Sequence, residues 1–336
     1  MQDTLPLVIV SHALPADWLA SLAGRCRVIG PAGDPAAERP AGPLAPELLP
    51  HLAQAEGLLT LLTVPVDETL LAQAPRLRVV SNMAVGVDNI SLPACTRRGI
   101  PVGHTPGVLT DATADLTLAL LLSIARGLPT AAADARAGRW GAWMPTRWLG
   151  ADLAGATLGV IGLGQIGAAV AQRGRAFGLD IVYHNRQPRP DLDTRLAATW
   201  LPLADLLQRS DFVSLHVPLT PQTRGLIGAA ELRLMKPAAY LVNVARGPVV
   251  DTAGLLHALS AGWIAGAALD VTDPEPLPPT HPLYQLPNCL IAPHLGSATF
   301  GARRRMAELA CANLLAGLAG QPLPHCVNPN IGKGIS

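Results

Sequence analysis

The segment TLGVIGLGQIG, residues 157–167, constrains the fold more than any other part of the chain. An apolar run over residues 157–161 leads directly into Gly162, Gly164 and Gly167, which have GxGxxG spacing, and a helical pattern follows over residues 165–178. The first glycine permits a tight turn, the second lets backbone approach a pyrophosphate, and the third allows close helix–strand packing. The helix N-terminus favours phosphate charge. The segment therefore predicts a dinucleotide-binding unit, with a simple tight turn as the alternative.

Strand-length apolar runs continue after this unit and alternate with helical patterns. The runs are TLGVIGLG, DIVYHN, DFVSLHVP, AAYLVNVAR, IAGAALDV and CLIAPHL, and the further helices are predicted at 203–209, 228–235 and 252–261. This alternation predicts a six-stranded, doubly wound parallel sheet.

The first hundred residues predict another parallel sheet of the same kind. Its strands are expected within residues 7–11, 26–30, 57–62, 77–82 and 100–105. The proline-rich segment 31–50 is expected to be an extended loop. A long apolar helix over residues 109–125 separates the two sheets, and a last helix over 302–318 is expected to pack back on the first domain. A chain of 336 residues has room for two such domains.

Composition and charge exclude several classes of protein. A net charge of +1 gives no electrostatic case for nucleic acid or an anionic membrane as partner. The longest apolar run, residues 116–125, is too short for a membrane span and is interpreted as a buried helix. The start, MQDTLPLVIVSH, has no basic leader, so the cytoplasm is expected. The five cysteines never have CxxC spacing, which argues against disulfides and a metal site and predicts mostly buried, reduced thiols: Cys26, Cys95, Cys289, Cys311 and Cys326.

The stretch YHNRQPRP, residues 183–190, ends the second strand after the glycine motif. An acidic residue there would bind the ribose 2'-hydroxyl of NAD, but no Asp or Glu occurs between Ile181 and Pro190. Asn185, Arg186 and Arg189 stand there instead. Arginine can bind a 2'-phosphate through charge-assisted hydrogen bonds, so the stretch predicts NADPH. The alternative is a solvated basic turn in an NADH enzyme.

Polar residues also follow three later apolar runs, where ligands bind in open parallel sheets. Arg246 lies in NVARGPVVD, Asp270 and Glu275 lie in ALDVTDPEP, and His294 lies in APHLGSAT. Each has a plain structural explanation by itself: a core histidine, a surface ion pair for Arg246, or a loop charge for Glu275. Their chemistry becomes specific only as a set.

Taken in this order after the glycine motif, these stretches resemble the D-2-hydroxyacid dehydrogenase family over nearly the whole chain. GVLTDATAD (107–115), HVPLTPQT (216–223) and CVNP (326–329) add to the resemblance. It is closest to the glyoxylate and hydroxypyruvate reductase branch, including bacterial reductases that also accept 2-ketogluconate. The resemblance implies a homodimer of α/β chains, each with two doubly wound parallel-sheet domains. A Rossmann NAD(P)-binding domain, residues 104–296, would be inserted into a flavodoxin-like substrate-binding domain, residues 1–103 and 297–336.

The resemblance also assigns roles to the polar residues. Arg246 would bind the substrate carboxylate and polarise the carbonyl, and His294 would be the general acid. Glu275 would pair with His294 and orient the ring, and Asp270 would hold the nicotinamide carboxamide. In the loop SNMAVGVDN, the amides of Val85 and Gly86 would donate to the substrate anion.

The same resemblance assigns further residues to the cofactor site: Thr113, Gly162, Leu163, Gly164, Gln165, Ile166, Gly167, Asn185, Arg186, Arg189, Val217, Pro218, Thr223, Val244, Ala245, Asp270, His294, Gly296 and Ser297. Trp140 and Trp143 would either border the partner subunit's substrate pocket or pack on their own chain. Arg303, Arg304 and Arg305 are either a solvated helix face or substrate contacts.

The predicted function is NADPH-preferring reduction of small 2-oxo acids, glyoxylate and hydroxypyruvate first and 2-ketogluconate next. NADH-dependent action on another substrate, such as D-lactate, phenylpyruvate or phosphite, is one alternative. A non-enzymatic NAD(P)H-sensing protein of the same fold is the other.

Overall fold

The computed structural model describes residues 5–37, 39 and 41–329. The chain divides into two compact units, Met1–Leu109 with Thr299–Ser336 and Thr110–Ala298. The second unit is therefore inserted into the first along the chain. The predicted domain boundaries, after residues 103 and 296, remain a prediction, and residues 1–4, 38, 40 and 330–336 of the predicted first domain lie outside the described residues.

The first unit is built on a five-stranded sheet in which every pairing of adjacent strands is parallel. The elements from its N-terminal part are β1 (Leu7–Val10), β2 (Arg27–Ile29), β3 (Gly57–Thr60), α1 (Glu68–Gln73), β4 (Val79–Asn82), α2 (Leu92–Arg97) and β5 (Val102–Gly103). The strand order β2-β1-β3-β4-β5 is the flavodoxin-like order. Its central strands are buried on both faces, which their apolar, β-branched composition allows.

The second unit contains a seven-stranded parallel sheet. Its elements are α3 (Thr110–Ala125), α4 (Leu128–Arg136), β6 (Thr157–Ile161), α5 (Gln165–Ala176), β7 (Asp180–His184), α6 (Pro190–Leu196), β8 (Ala198–Trp200), α7 (Leu203–Arg209), β9 (Phe212–Leu215), α8 (Ala229–Leu234), β10 (Tyr240–Asn243), α9 (Thr252–Ser260), β11 (Gly266–Leu269) and β12 (Cys289–Ile291). The order β12-β11-β10-β9-β6-β7-β8 reverses direction beside β6, where doubly wound sheets bind ligands. The predicted fold class is confirmed.

Alternate residues of the central strands feed two separate cores. Leu158 and Val160 of β6 pack with α3 and α5, whereas Ile161 packs with α7, α8 and α9. Phe212 and Val213, adjacent residues of β9, divide in the same way. This period of two is what a sheet covered by helices on both faces requires.

Two predictions about secondary structure were wrong. The second sheet has seven strands because β8, a three-residue edge strand, pairs with β7 in parallel. The proline-rich segment is not entirely extended, because a 3-10 helix covers Pro46–Gln54. Pro46 stands at the first position of that helix, where its missing N–H costs nothing.

The last helix, α10 (Phe300–Leu318), packs against the sheet of the first unit, as predicted. The hydroxyl of Ser81 in β4 donates to the carbonyl of Ala310, at 2.8 Å. A Cβ at Gly103 would lie 2.7 Å from the Cβ of Asn313, so the strand and helix approach as closely as glycine allows. The first unit is thus assembled from both ends of the chain.

Helix α3 is mostly buried within the second unit, as predicted for this apolar run. Among the described residues, no single helix has both the length and the hydropathy of a membrane span. Helices α3 and α4 meet that test only when taken together, and they are bent by 65° at the break between them.

Candidate active site

The glycine turn joins β6 to α5. Gly162 has a φ of +99°, which an L side chain rarely adopts, and a Cβ there would lie 2.8 Å from the backbone nitrogen of Val217. A Cβ at Gly167 would overlap the carbonyl oxygen of Gly162. These two glycines are therefore required by the turn and by its packing.

Gly164 differs from both, because a Cβ at this position would meet nothing within 4 Å. Its φ of −85° is open to any residue, so the fold itself does not demand glycine here. Close approach of a ligand would require it. Gln165 next to it is also exposed, at the first turn of α5. The turn therefore fits a pyrophosphate, which these backbone amides and the start of α5 would hold.

Asn185 follows β7 and turns toward the glycine motif. Its Oδ1 accepts a hydrogen bond from the amide of Leu163 at 2.7 Å, and its main-chain carbonyl accepts one from Nε1 of Trp200 at 3.0 Å. The Leu163 side chain is fully buried in the core. Asn185 and Leu163 therefore stabilise the shape of the turn.

The two predicted phosphate arginines have different surroundings. Both are exposed. Arg189 forms a two-point ion pair with Asp191, with distances of 2.9 Å from Nε and 2.8 Å from Nη2 to the two carboxylate oxygens. This guanidinium holds the pKa of Asp191 below its ordinary value. Arg186 has no ion pair within the described part of the chain. Arg186 is thus the better placed of the two to accept a new anion.

His294 and Glu275 form a close pair. The Nδ1 of His294 lies 2.6 Å from Oε1 of Glu275, and both side chains are partly exposed. Glu275 lies between two cis peptide bonds, Asp273–Pro274 and Glu275–Pro276. The carboxylate binds Nδ1 of the imidazole, so Nε2 remains as the nitrogen that can exchange a proton with a substrate.

Asp270 holds the backbone beneath this histidine. Its carboxylate accepts from the amides of Leu295, at 2.6 Å, and Gly296, at 2.8 Å, while its carbonyl accepts from the amide of His294. His294 has a φ of +54°, a left-handed conformation that these bonds stabilise. Burial raises the pKa of Asp270 above its ordinary value, although the two amide bonds and His294 act in the opposite direction.

Arg246 follows β10 and is held by a residue that the sequence analysis did not identify. The buried Asn243 donates from Nδ2 to the carbonyl of Arg246, at 2.9 Å, and accepts from the amide of Ala245, at 3.0 Å. Next in the chain is Gly247, where a Cβ would overlap the carbonyl of Thr272. The turn bearing Arg246 therefore packs directly on the loop that leads to Glu275. The only available signal for Asn243 was a buried amide at the end of a strand.

The remaining predicted cofactor residues in the second unit lie after strand ends, on α3 or at the start of α5. The Thr113 hydroxyl donates to the carbonyl of Gly296, at 3.1 Å, and the Thr223 hydroxyl donates to the carbonyl of Pro218, at 2.6 Å. The half-buried members of the set are Ile166, Val217, Thr223, Val244 and Ser297. The structure thus brings most of the predicted residues to the carboxyl edge of one sheet, although their contact with a cofactor remains a prediction.

The predicted anion loop belongs to the first unit and follows β4. Val85 and Gly86 are half-buried, and neither amide donates to a protein acceptor among the described residues. Two free successive amides suit an anion, as predicted for this loop. Their role stays a prediction.

The tryptophan segment leaves its two predicted positions largely exposed. Trp140 is 65% exposed and Trp143 is 81% exposed. Trp148 differs, since its Nε1 donates to Asp134. This exposure favours a place beside a partner subunit over packing on their own chain for Trp140 and Trp143, and that place remains a prediction.

Two further sequence readings concern charge and thiols. Arg304 pairs with Glu308 and Asp17, which favours the solvated helix face over substrate contact for this residue. All five cysteines are free thiols, and three of them are buried: Cys26, Cys95 and Cys311. In the part of the chain that the structure describes, no group of three His, Cys, Asp or Glu side chains could hold a metal ion.

A Rossmann-ordered sheet, a glycine turn at its switch point and a histidine–carboxylate pair at the same edge define a class of protein, the oxidoreductases that use a nicotinamide dinucleotide. Residues 118–296 match the model of the D-isomer specific 2-hydroxyacid dehydrogenase NAD binding domain. The chain belongs to this dehydrogenase family, as its sequence motifs predicted.

Relatives and solved structures extend this similarity over the whole chain. The glyoxylate reductase of Aeropyrum pernix is 49% identical over 290 residues, which is 85% of this chain and 87% of the relative. That of Thermofilum pendens is 45% identical over 330 residues, covering 98% of this chain and 96% of the relative. A Thermus thermophilus structure has a TM-score of 0.86 at 48% identity, covering 96% of this chain and 99% of its own.

A fourth similar protein was solved with ligands. The NADPH-dependent glyoxylate/hydroxypyruvate reductase of Sinorhizobium meliloti, in complex with NADP and malonate, has a TM-score of 0.84 at 33% identity. The match covers 97% of this chain and 98% of that structure.

Proposed function

We propose that this chain reduces small 2-oxo acids, glyoxylate to glycolate and hydroxypyruvate to D-glycerate, with 2-ketogluconate as a further substrate and NADPH as the preferred cofactor. The observation that carries the proposal is the His294–Glu275 pair, held at the edge of the sheet that bears the glycine turn. The names of the relatives support the substrate class, since several are glyoxylate reductases.

The mechanism assigns a task to each polar group. A bound reduced nicotinamide supplies the hydride. Arg246 binds the substrate carboxylate and polarises the carbonyl through its planar, permanently charged guanidinium. His294 donates a proton from Nε2 to the carbonyl oxygen as that oxygen becomes a hydroxyl. Glu275 stabilises the protonated ring at 2.6 Å and fixes its orientation.

The cofactor preference rests on Arg186. It is exposed after β7, and Asn185 beside it is neutral and faces the glycine turn, so no carboxylate at this position would repel a 2'-phosphate. The amides of Val85 and Gly86 are proposed as further donors to the carboxylate of the substrate.

The proposal includes a homodimer in the cytoplasm. Exposed large apolar side chains cluster in the segment between α4 and β6, and covering them is a reason to associate: Trp140, Trp143, Met144 and Leu149. Five free thiols suit a reducing compartment. Light scattering of the purified protein and of Trp143→Ser tests the dimer, which the substitution should weaken.

The decisive experiment is the rate of NADPH and NADH oxidation, measured in parallel with glyoxylate, hydroxypyruvate, 2-ketogluconate, pyruvate and phenylpyruvate. Fast turnover of the first acids with NADPH supports the proposal. Arg246→Ala should abolish detectable reduction without unfolding the protein, and Arg209→Ala, which removes an exposed arginine of α7, is the matched control. Binding of NADPH without turnover of any acid would instead favour a cofactor-sensing protein.

A further inference from the structure

His104 lies behind the peptide that joins Val85 to Gly86. The residue follows β5, in the first unit, and its Nδ1 is 2.9 Å from the carbonyl oxygen of Val85. A carbonyl oxygen can only accept, so Nδ1 carries the proton and donates it to this bond. The side chain thereby contacts the loop from the carbonyl side.

The loop carbonyls are held one after another. The carbonyl of Ala84 accepts from the amide of Thr105 at 2.9 Å, and that of Gly86 accepts from Nδ2 of Asn82 at 2.9 Å. The Val85 carbonyl between them is held by His104. Three successive carbonyls are therefore bound to neighbouring parts of the first unit.

Holding a carbonyl also fixes the N–H of the same peptide. The peptide unit is planar and trans, so its N–H points away from its C=O. The bond to Ala84 thus sets the direction of the Val85 N–H, and the bond from His104 sets that of the Gly86 N–H. Among the described residues neither of these amides has a protein acceptor, so both remain able to donate to a ligand.

The position of His104 is itself determined by a buried amide on α10. Asn313, which is 0% exposed, donates to the carbonyl of His104 at 2.9 Å and accepts from the amide of His325 at 2.9 Å. The amide of His104 donates to the carbonyl of His325. The main chain on both sides of the His104 ring is therefore fixed, and the ring has little freedom to leave Val85.

We propose that His104 is a positioning residue for anion binding, which orients and polarises the Val85–Gly86 peptide so that the Gly86 amide becomes a stronger donor to the carboxylate of the substrate. A donor on a peptide oxygen strengthens the N–H of the same unit, by about 10–30% per bond. The inference rests on the proposed function and deepens it, because it names a residue behind the anion site.

The test compares three variants with the wild type. His104→Leu removes the donor, and His104→Asn keeps an N–H at nearly the position of Nδ1. His325→Leu is the matched control, because its ring lies 6.3 Å from that of His104, centroid to centroid, without a hydrogen bond to the loop. The measurements are KM and kcat for glyoxylate, KM for NADPH, thermal unfolding, and the dissociation constant of oxalate, an unreactive dicarboxylate, by calorimetry with NADP⁺ bound.

In His104→Leu we expect KM for glyoxylate and the oxalate dissociation constant to rise by up to about tenfold, because the Gly86 amide loses its fixed direction as well as its polarisation and with them its hydrogen bond to the anion. We expect kcat and KM for NADPH to stay within about twofold, because the interaction stabilises ground and transition states alike. His104→Asn should restore most of the affinity, and His325→Leu should resemble the wild type.

The inference would be overturned by oxalate binding that is equally strong in His104→Leu and the wild type, or by a failure of the folded His104→Asn variant to recover affinity. An absence of oxalate binding by the wild type would overturn it too. A wild type that binds oxalate but reduces no 2-oxo acid disproves the proposed function alone, and the oxalate constants still decide the role of His104.

Discussion

The Oδ1 of Asn185 lies 2.7 Å from the amide nitrogen of Leu163, so the first polar residue after β7 binds the glycine turn of its own sheet. An acidic residue at this position would have faced the ribose of NAD. Here the side chain is neutral and already has a protein partner. In the proposed binding mode, the 2'-phosphate of the cofactor would therefore contact the residues that follow, of which Arg186 is the first.

Arg186→Ala should weaken NADPH much more than NADH. Its guanidinium has no ion pair among the described residues, so binding a 2'-phosphate would break no existing pair. We expect KM for NADPH to rise about tenfold or more, and KM for NADH to change little, since a hydrogen bond to a charged group contributes about 1.5–3 kcal/mol. Steady-state kinetics with each cofactor checks this.

Arg189→Ala is the control for that experiment. Its guanidinium is bound by Asp191 at two points, so its removal should affect NADPH less than removal of Arg186 does. Equal losses with NADPH and NADH in Arg186→Ala would contradict a role in reading the phosphate.

Gly164→Ala and Gly167→Ala should fail in different ways. At Gly164 a Cβ meets nothing within 4 Å, so Gly164→Ala should have the same Tm as the wild type. It should nevertheless bind the dinucleotide at least about tenfold more weakly. At Gly167 the Cβ would overlap a backbone carbonyl, so stability should fall by about 1–3 kcal/mol. Thermal unfolding with and without cofactor distinguishes them. If Gly164→Ala bound the cofactor as tightly as the wild type does, the turn would not be part of the binding site.

His294→Gln should lower kcat by at least about 100-fold, because general acid catalysis typically contributes 10²- to 10⁴-fold. Glu275→Gln should have a smaller effect, about 10- to 100-fold, because glutamine can still accept from Nδ1 but no longer stabilises a charged ring. The exposed Glu47 provides a control, Glu47→Gln, which should act like wild type. A fall below about tenfold in His294→Gln would contradict the acid role.

His216 should make stability depend on pH. Burial lowers the pKa of this imidazole to about 3, and its Nδ1 is sealed from solvent without a partner in the described residues, although the residue as a whole is half-buried. Between pH 6.5 and 3 the unfolded chain therefore binds a proton that the folded chain does not, so stability falls as pH falls.

From pH 7 to pH 5, protonation of His216 in the unfolded chain should lower the free energy of unfolding by about 1–2 kcal/mol. His216→Gln, which can still bond Ser214, should flatten that dependence. Denaturant unfolding at several pH values measures it, and parallel profiles for variant and wild type would exclude His216 as the cause.

The sequence predicted the strands that are formed by long apolar runs. It did not predict a strand whose formation depends on tertiary contacts. The strands of the second unit from β6 to β12 were all expected except β8, whose three residues follow Ala197 in a left-handed conformation and pair only with β7. Such a short edge strand is determined by its neighbour and has too few residues for a periodic pattern.

The residues of the candidate site also fall into a group that the sequence predicted and a group that it did not. Gly162, Arg246, Glu275 and His294 belong to motifs that can be recognised in the chain. Asn243 cannot, because its function is to hold the Arg246 turn through two backbone contacts. The sequence also did not show that Arg189 is ion-paired while Arg186, within the described residues, is not. Asp191 lies on α6, and its pairing with Arg189 depends on the local turn.

The docking of α10 on β3, β4 and β5 has a consequence for the order in which the protein is completed. The second unit is one uninterrupted stretch, Thr110–Ala298, and domains generally fold as units during synthesis. When the ribosome has translated Ala298, that unit has all its residues, whereas the sheet of the first unit still lacks the helix that covers Gly57, Ser81 and Gly103. The first unit is therefore the first to be translated and the last to be completed. The apolar face of its sheet that α10 covers stays exposed until α10 has been translated.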